Sequence, residues 1–428
     1  MCQAIYWLFR MNLSHANHDL LKTRVRSVIP LCDRHRRGYV PFSALLNDTK
    51  YCECSDPRDR VFALLSMLGP SERVIEIDAD YSKTISEVYK DATLCTIKFD
   101  RELNILATAG LDQSNSGLPS WVPKWPCREL YKPLRYAVQA SGKTLPADLG
   151  DQGYEDILQL TGVSVATIDR VEGFELAEYR CATKTDIGHE IRRISSWINL
   201  RRPFEKDDKD LLAFCRIICA DEFAETRDPQ RKDQLSLKES LQALRFLLGF
   251  EGSLDHWNMR FLALVGQSIC GRSFFVTKDG CLGLGPKAAK PGDIVTVLLG
   301  GKGSFVMRPA DGGYYQFVGV AYCHGFMDAE ALLGPLLGCF QLVMKLDEKT
   351  NTYWGGHMDR ETARFYCEDP RLGELPPEWK KRAHPSDEYW SWFVNEEAGE
   401  EMKDRGDPRL TPEALKRRGV DLELFKLI

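Results

Sequence analysis

The chain has 428 residues, 43% hydrophobic and 10% aromatic, which is enough apolar material for a core spread over two or three structural units. A net charge of −5 and a pI near 6.0 leave no global basic field for nucleic acid or an anionic membrane surface. No run of about eighteen apolar residues occurs, which excludes an ordinary membrane-spanning helix. The first twenty residues carry Arg10 close behind a short apolar stretch and no small-residue cleavage site, so no signal peptide is expected. With no secretory signal, fourteen irregularly spaced cysteines read as reduced thiols, and the expected location is cytoplasmic or nuclear.

The first clear element is SDPRDRVFALLSMLGP at 55–70. Asp56 suits a cap, Pro57 the first helical position and Asp59 the third, while Val61, Phe62, Leu64, Leu65 and Leu68 share one helical face that Gly69-Pro70 ends. Leu64 and Leu65 are expected in the core. A second helix is expected after Asp80-Tyr81-Ser82, with Ile85, Val88, Tyr89, Ala92 and Cys95 on one face. LNILATAGL at 103–111 fits either a buried strand or a helical turn.

GLPSWVPKWP, from Gly117, combines three prolines with two tryptophans. It predicts an ordered extended loop that presses Trp121 and Trp125 onto the core. Segments 136–142 and 156–173 are rich in β-branched residues and predict strands. Residues 185–268 alternate charge-dense text with LLAFCRIICA and LQALRFLLGF, the pattern of amphipathic helices. From Arg272 to about Lys345 short apolar runs return, separated by DG, PGD, GGKG and ADGG turns. Beyond them lies an aromatic-spiked, charged tail in which one or two surface helices are expected.

The fold expectation is α+β. A helical region covers 1–130, and a small antiparallel β barrel or sandwich combines 131–184 with 269–345. A helical insertion over 185–268 interrupts it, and a charged helical tail covers 346–428. Ladders are expected between Leu158–Ile168 and strands after Arg272, because loop-closure entropy grows only slowly with the length of the insertion.

Three segments resemble the fungal heterokaryon incompatibility family. They are DPRDRVFALLSML at 56–68 with DADYSKTISEVYKDAT at 78–93, then LPSWVPKW at 118–125, then the stretch from GRSFFVT to AYCHGFMDAEAL over 271–332. Lys124 stands where the family usually has an acid. The signature residues implied by this resemblance are Asp56, Pro57, Arg58, Asp59, Leu64, Leu65, Tyr81, Trp121, Pro123, Trp125, Gly292, Asp293, Gly319, Tyr322, His324 and Gly325. Nothing here resembles the SYxWG-like and D-SLCIDQ-like motifs of the family's opening domain, so the resemblance implies the region that follows that domain.

Chemistry-bearing patterns are sparse. Cys52-x-Cys54 lacks a second pair at metal-ligand spacing, and Cys215-x₃-Cys219 fits the buried face of a helix. GQSICG at 266–271 has one residue too many for a nucleophile elbow, and Lys302 between Gly301 and Gly303 reads as a hairpin turn rather than a phosphate loop. Two trios, His324/Asp328/Glu330 and His357/Asp359/Glu361, carry acid–base or ligand side chains without a visible nucleophile, and a structural role is expected for each. Arg58, if buried, is expected to hold the following loop through backbone carbonyls.

The expected function is a non-catalytic scaffold or regulatory region in fungal non-self recognition, with protein partners, no nucleic acid, no membrane, no cofactor and no catalytic or metal residues. The alternatives are a fragment of a cell-death effector and a small-ligand-binding β module.

Overall fold

The computed structural model describes residues 42–49, 54–68, 77–111, 117–125, 139–147, 156–176, 183–200, 209–227, 234–249, 256–347, 352–384, 387–402 and 406–428. The chain divides into two compact units, residues 1–109 with 113–129, and residues 110–112 with 130–428.

The first unit is helical among its described residues. It contains α1 (Phe42–Asp48), α2 (Asp59–Leu65), α3 (Ile85–Asp100) and a 3-10 turn over Asn104–Thr108, where the sequence left strand and helix open. Helix α3 starts at a reciprocal capping box: Thr84 accepts from the Glu87 backbone and Glu87 accepts from the Thr84 backbone. Helix α2 is shorter than its apolar pattern predicts, because residues 56–58 form a turn before it. Val61, Phe62 and Leu64 are buried, but Leu65 is only partly so, which corrects its expected core position. Its spacing puts it on the same stripe as Val61, four residues earlier, so its partial exposure goes with its place as the last residue of the helix.

Trp121 and Trp125 are buried, as their Pro-rich loop predicts. The Trp125 ring meets Tyr89 of α3 edge-on at 5.0 Å, and the Tyr89 hydroxyl donates to the Trp125 and Pro57 carbonyls at 3.2 and 3.0 Å. A buried phenol satisfied twice in this way fixes the loop to the helix. Desolvation pushes its pKa up to about 12.

The second unit is built on a seven-stranded sheet whose order runs β13, β1, β2, β3, β6, β5, β4 among the described residues. Its strands are β1 (Leu158–Gly173), β2 (Arg272–Thr277), β3 (Leu282–Pro286), β4 (Ile294–Leu298), β5 (Ser304–Ala310), β6 (Tyr314–Cys323) and β13 (Glu423–Leu427). β1 is long enough to serve three partners in turn. Residues 158–162 pair with β13, 162–167 with β4 and 168–173 with β2, with irregular register at Ser164/Ala166 and Ile168/Arg170. The ladder between 158–168 and strands after Arg272 is therefore present, across the helical insertion. The β1–β4 and parallel β13–β6 pairings close the strand order on itself, so each strand gains partners on both sides.

The insertion supplies α4 (Lys184–Trp197), α5 (Lys209–Ile218), α6 (Ala224–Arg227), α7 (Leu237–Leu247) and α8 (His256–Ile269). Thr183/Asp186 and Ser236/Glu239 form capping boxes that start α4 and α7. Phe214, Ile217, Leu244, Phe261 and Val265 share one buried cluster with Phe274, Leu284 and Tyr322 of the sheet, so the helices cover one sheet face. Cys215 and Cys219 lie fully buried in that layer, as their spacing predicts.

The tail departs from expectation. β7 (Phe340–Asp347) begins within the strands expected up to Lys345 but joins a separate three-stranded sheet with β8 (Thr352–Asp359) and β9 (Phe365–Tyr366) instead of the main one. Where surface helices are predicted stand β8, β9 and a second three-stranded sheet of β10 (Trp379–His384), β11 (Asp387–Asn395) and β12 (Glu400–Met402). The short α9 (Glu330–Leu333) precedes the tail, and among the tail's described residues helix is confined to short turns such as α10 (Pro412–Arg417). The charge density suggested solvated helices, yet TYWGG and EYWSWFV are aromatic, β-favouring runs, and paired glycines weaken a helix interior.

Candidate functional site

The signature residues occupy four separate places. In the first unit, Asp56 binds its own turn. Its carboxylate accepts from the Arg58 backbone at 2.9 Å and from the Arg58 guanidinium at 3.0 and 2.7 Å, which holds its pKa below the usual range. The guanidinium, locked in plane, donates with its remaining edge to the Tyr81 and Lys83 carbonyls at 2.6 and 3.0 Å. Tyr81, itself exposed, packs its ring on Phe62 at 5.0 Å and donates its hydroxyl to Asp59. Arg58 thus holds the following loop through carbonyls, and Pro57, Asp59 and Tyr81 serve the same corner. Pro123 is buried with Trp121 and Trp125 in the Pro-rich loop.

In the second unit, Gly292 (φ +90°) turns the chain between β3 and β4 and donates its N–H to the Ile168 carbonyl at 2.9 Å. Asp293 is buried beside it and accepts two parallel bonds from Arg308 at 2.8 and 2.9 Å and a third from the Lys290 backbone. Gly319 lies at the irregular step of the β5–β6 ladder, where Val306 faces Gly319 but Met307 faces Phe317. Lys302 and its glycines form the β4–β5 turn. The Gly301 carbonyl there accepts from Ser141, and Gly300 (φ +81°) donates to the Thr144 hydroxyl. Ser268 lies in α8 and its hydroxyl donates to the Leu264 carbonyl, so it is spent on its own helix. Cys52 lies outside the described residues, as do residues 136–138 of the expected strand there; Gln139 forms a single bridge to Asp328.

His324 follows β6, its backbone bonded to the Leu282 carbonyl, with Gly325 (φ +88°) turning behind it. The side chain is not in a purely apolar setting. Burial, then the charge of Arg216, pulls its pKa below the ordinary 6.5, against the opposing pull of Asp221. Arg216 and Asp221 form an ion pair at 2.5 Å between α5 and the turn after it, where Ala220 and Asp221 are left-handed. Tyr322 is buried nearby, and burial raises its pKa.

Asp328 does not join His324. The two trios of the sequence are recombined: Asp328 from the first meets His357 from the second, together with Asp369 and Arg371, which neither contains. His357 Nε2 lies 3.4 Å from Asp328 Oδ1 and 3.6 Å from Asp369 Oδ2. Asp359 instead caps the β8–β9 turn through the Glu361 and Thr362 N–H groups, and Glu330 accepts from the Asp328 backbone at 2.6 Å.

The cluster draws on three elements. Asp328 sits in the β6–α9 loop, immediately before Ala329 in a left-handed conformation (φ +54°). His357 sits on β8 opposite Leu342 of β7 and Tyr366 of β9. Its neighbour Gly356 lets β9 approach, because a Cβ there would stand 2.6 Å from the Tyr366 carbonyl oxygen. Asp369 and Arg371 repeat the geometry of 56–58: the Asp369 carboxylate accepts from the Arg371 backbone at 2.9 Å and from its guanidinium at 2.9 and 2.7 Å. The guanidinium then reaches the Gly334 and Asp328 carbonyls, both at 2.7 Å. Burial raises the Asp369 pKa, but the Arg371 bonds outweigh it and the net shift is downward.

A third Asp-Pro-Arg, at 407–409, folds the same way, with Arg409 reaching the Gly373 carbonyl at 2.9 Å and Glu368 at 2.8 Å. The recurring tripeptide is the signal by which sequence reasoning could have found Asp369 and Arg371. His357 and Asp328 carry no such local signal, since 28 residues separate them.

The architecture is that of a mixed α+β protein: a sheet closed on itself, a helical layer on one face and small accessory sheets from the tail. Residues 195–334 match the family model described as the Het-6 beta-barrel domain. The chain is 26% identical over 339 residues to heterokaryon incompatibility protein 6, OR allele, of Neurospora crassa, covering 64% of this chain and 49% of that protein. It therefore spans about half the length of the curated relative it matches. No solved structure matches. Both matches support the resemblance to the heterokaryon incompatibility family that the sequence segments carry.

Proposed function

We propose that this chain serves fungal heterokaryon incompatibility as a non-catalytic scaffold or regulatory region that acts inside the cell through protein contacts. One observation carries the reading. The polar signature side chains are consumed by the protein's own framework: Arg58 by the Tyr81 and Lys83 carbonyls, and Asp293 by Arg308. Residues that carry chemistry are held close to substrate and to one another; these hold loops and turns. Among the described residues no helix is long and apolar enough to cross a membrane, which agrees with a reading that requires none.

The test is genetic. Deleting the gene should abolish the cell-death reaction that follows fusion with an incompatible strain, and restoring it should bring the reaction back. The variants His324→Gln and Asp221→Asn should restore it fully. Loss of the reaction in a variant that still accumulates as folded protein would show that the titratable cluster acts chemically, and the scaffold reading would fall.

A further inference from the structure

We propose that Asp328, His357 and Asp369 form a binding site for one divalent transition-metal ion of the zinc class, which ties the β7–β8–β9 sheet to the loop after β6. Their ligand atoms all lie within 4.8 Å of one another. The independent observation is His357: it is only 4% exposed, and neither ring nitrogen has a hydrogen-bond partner. A buried imidazole costs stability unless something satisfies it.

The distances say what kind of partner fits. At 3.4 and 3.6 Å, Nε2 is too far from Asp328 Oδ1 and Asp369 Oδ2 for good hydrogen bonds. Two ligand atoms on one tetrahedral zinc ion, each about 2.0–2.2 Å from the metal, stand about 3.3–3.5 Å apart. The separations match ligands of a shared ion better than members of an ion pair.

Charge points the same way. Two carboxylates face one guanidinium, Arg371, which leaves an excess negative charge in a mostly enclosed place, with Asp328 and Asp369 side chains 15% and 11% exposed. Arg371 donates to Asp369 Oδ2 at 2.7 Å and keeps that carboxylate aimed at His357. It thus acts as an outer partner that orients a ligand. One imidazole and two carboxylates suit zinc better than magnesium, which prefers all-oxygen, water-rich surroundings. Three protein ligands leave a fourth position for water.

The experiment uses the full chain, stripped with a chelator and titrated with zinc alone. The expected result is one zinc ion per chain, with magnesium failing to compete. Asp369→Asn and His357→Gln should each weaken zinc binding by about 100-fold or more while the far-ultraviolet circular dichroism is kept. Because the chain has fourteen cysteines, X-ray absorption of the zinc-loaded wild type must show nitrogen and oxygen scatterers, including one imidazole, and no sulfur. That measurement decides even if neither variant folds. Failure of the wild type to bind zinc, sulfur in the shell, or undiminished binding in folded His357→Gln would each overturn the assignment.

Discussion

The Asp-Pro-Arg corner at 56–58 and the one at 369–371 share their internal geometry and differ in their surroundings. In both, the aspartate accepts from the arginine's backbone and fork, and the locked guanidinium donates onward to distant carbonyls. Yet Arg58 keeps 25% of its side chain exposed and meets only carbonyls and a tyrosine ring, whereas Arg371 keeps 5% and lies against a second carboxylate and near a buried imidazole. A fork fixed from behind costs little further entropy when it binds, so the same tripeptide can be placed wherever a loop needs holding. What lies at its far edge decides whether it is only a staple or also the outer wall of a site.

The sharpest way to break this comparison is to remove the buried arginine. Arg371→Gln leaves Asp369 without its counter-charge in a nearly enclosed place, and a loss of about 3–5 kcal/mol is expected in urea denaturation. Arg58→Gln should cost clearly less, because solvent reaches that corner and can replace the lost bonds. Equal losses for the two would show that burial is not what separates the corners.

A smaller effect sharpens the first corner by pH. The Arg58 bonds hold the Asp56 pKa below its unfolded value near 3.8. Its stabilisation is therefore complete above that value and is lost as pH falls through the lower, folded one. Asp56→Asn should flatten the stability profile between pH 5 and 3 relative to wild type. The smallest effect belongs to His324. Its pKa is lowered by burial, so between the folded value and 6.5 the unfolded chain binds more protons and stability falls as the medium is acidified. His324→Gln should lose less stability than wild type between pH 7 and 5.5, read by the same denaturation midpoints.

Local signals were legible and long-range ones were not. The helix expected after Asp80-Tyr81-Ser82, the Pro-rich loop with its two tryptophans, and the β-branched run at 156–173 each declare their structure within a few residues, and each is found where expected. The onward bonds of Arg58 were also readable, since DPRD before a helix and DYSK after it supply the fork and the loop. Leu65 misled because its spacing places it on the buried stripe, while its place at the end of a seven-residue helix leaves it partly exposed. The tail misled because its charge density resembles that of a solvated helix, while its aromatics gain from pairing across strands. The site around His357 was invisible for a topological reason: only the fold brings the β6 loop, β8 and the turn after β9 together.

The placement of β13 sets the order of events during synthesis. The strand that flanks both β1 and β6 lies at Glu423–Leu427, about 250 residues after β1 ends at Gly173. At roughly 5–20 residues per second a ribosome needs about 12–50 seconds to cover that span. Throughout it, residues 158–162 of β1 lack the partner that covers their edge. A nascent chain in this state presents an open template for wrong pairing until β13 emerges.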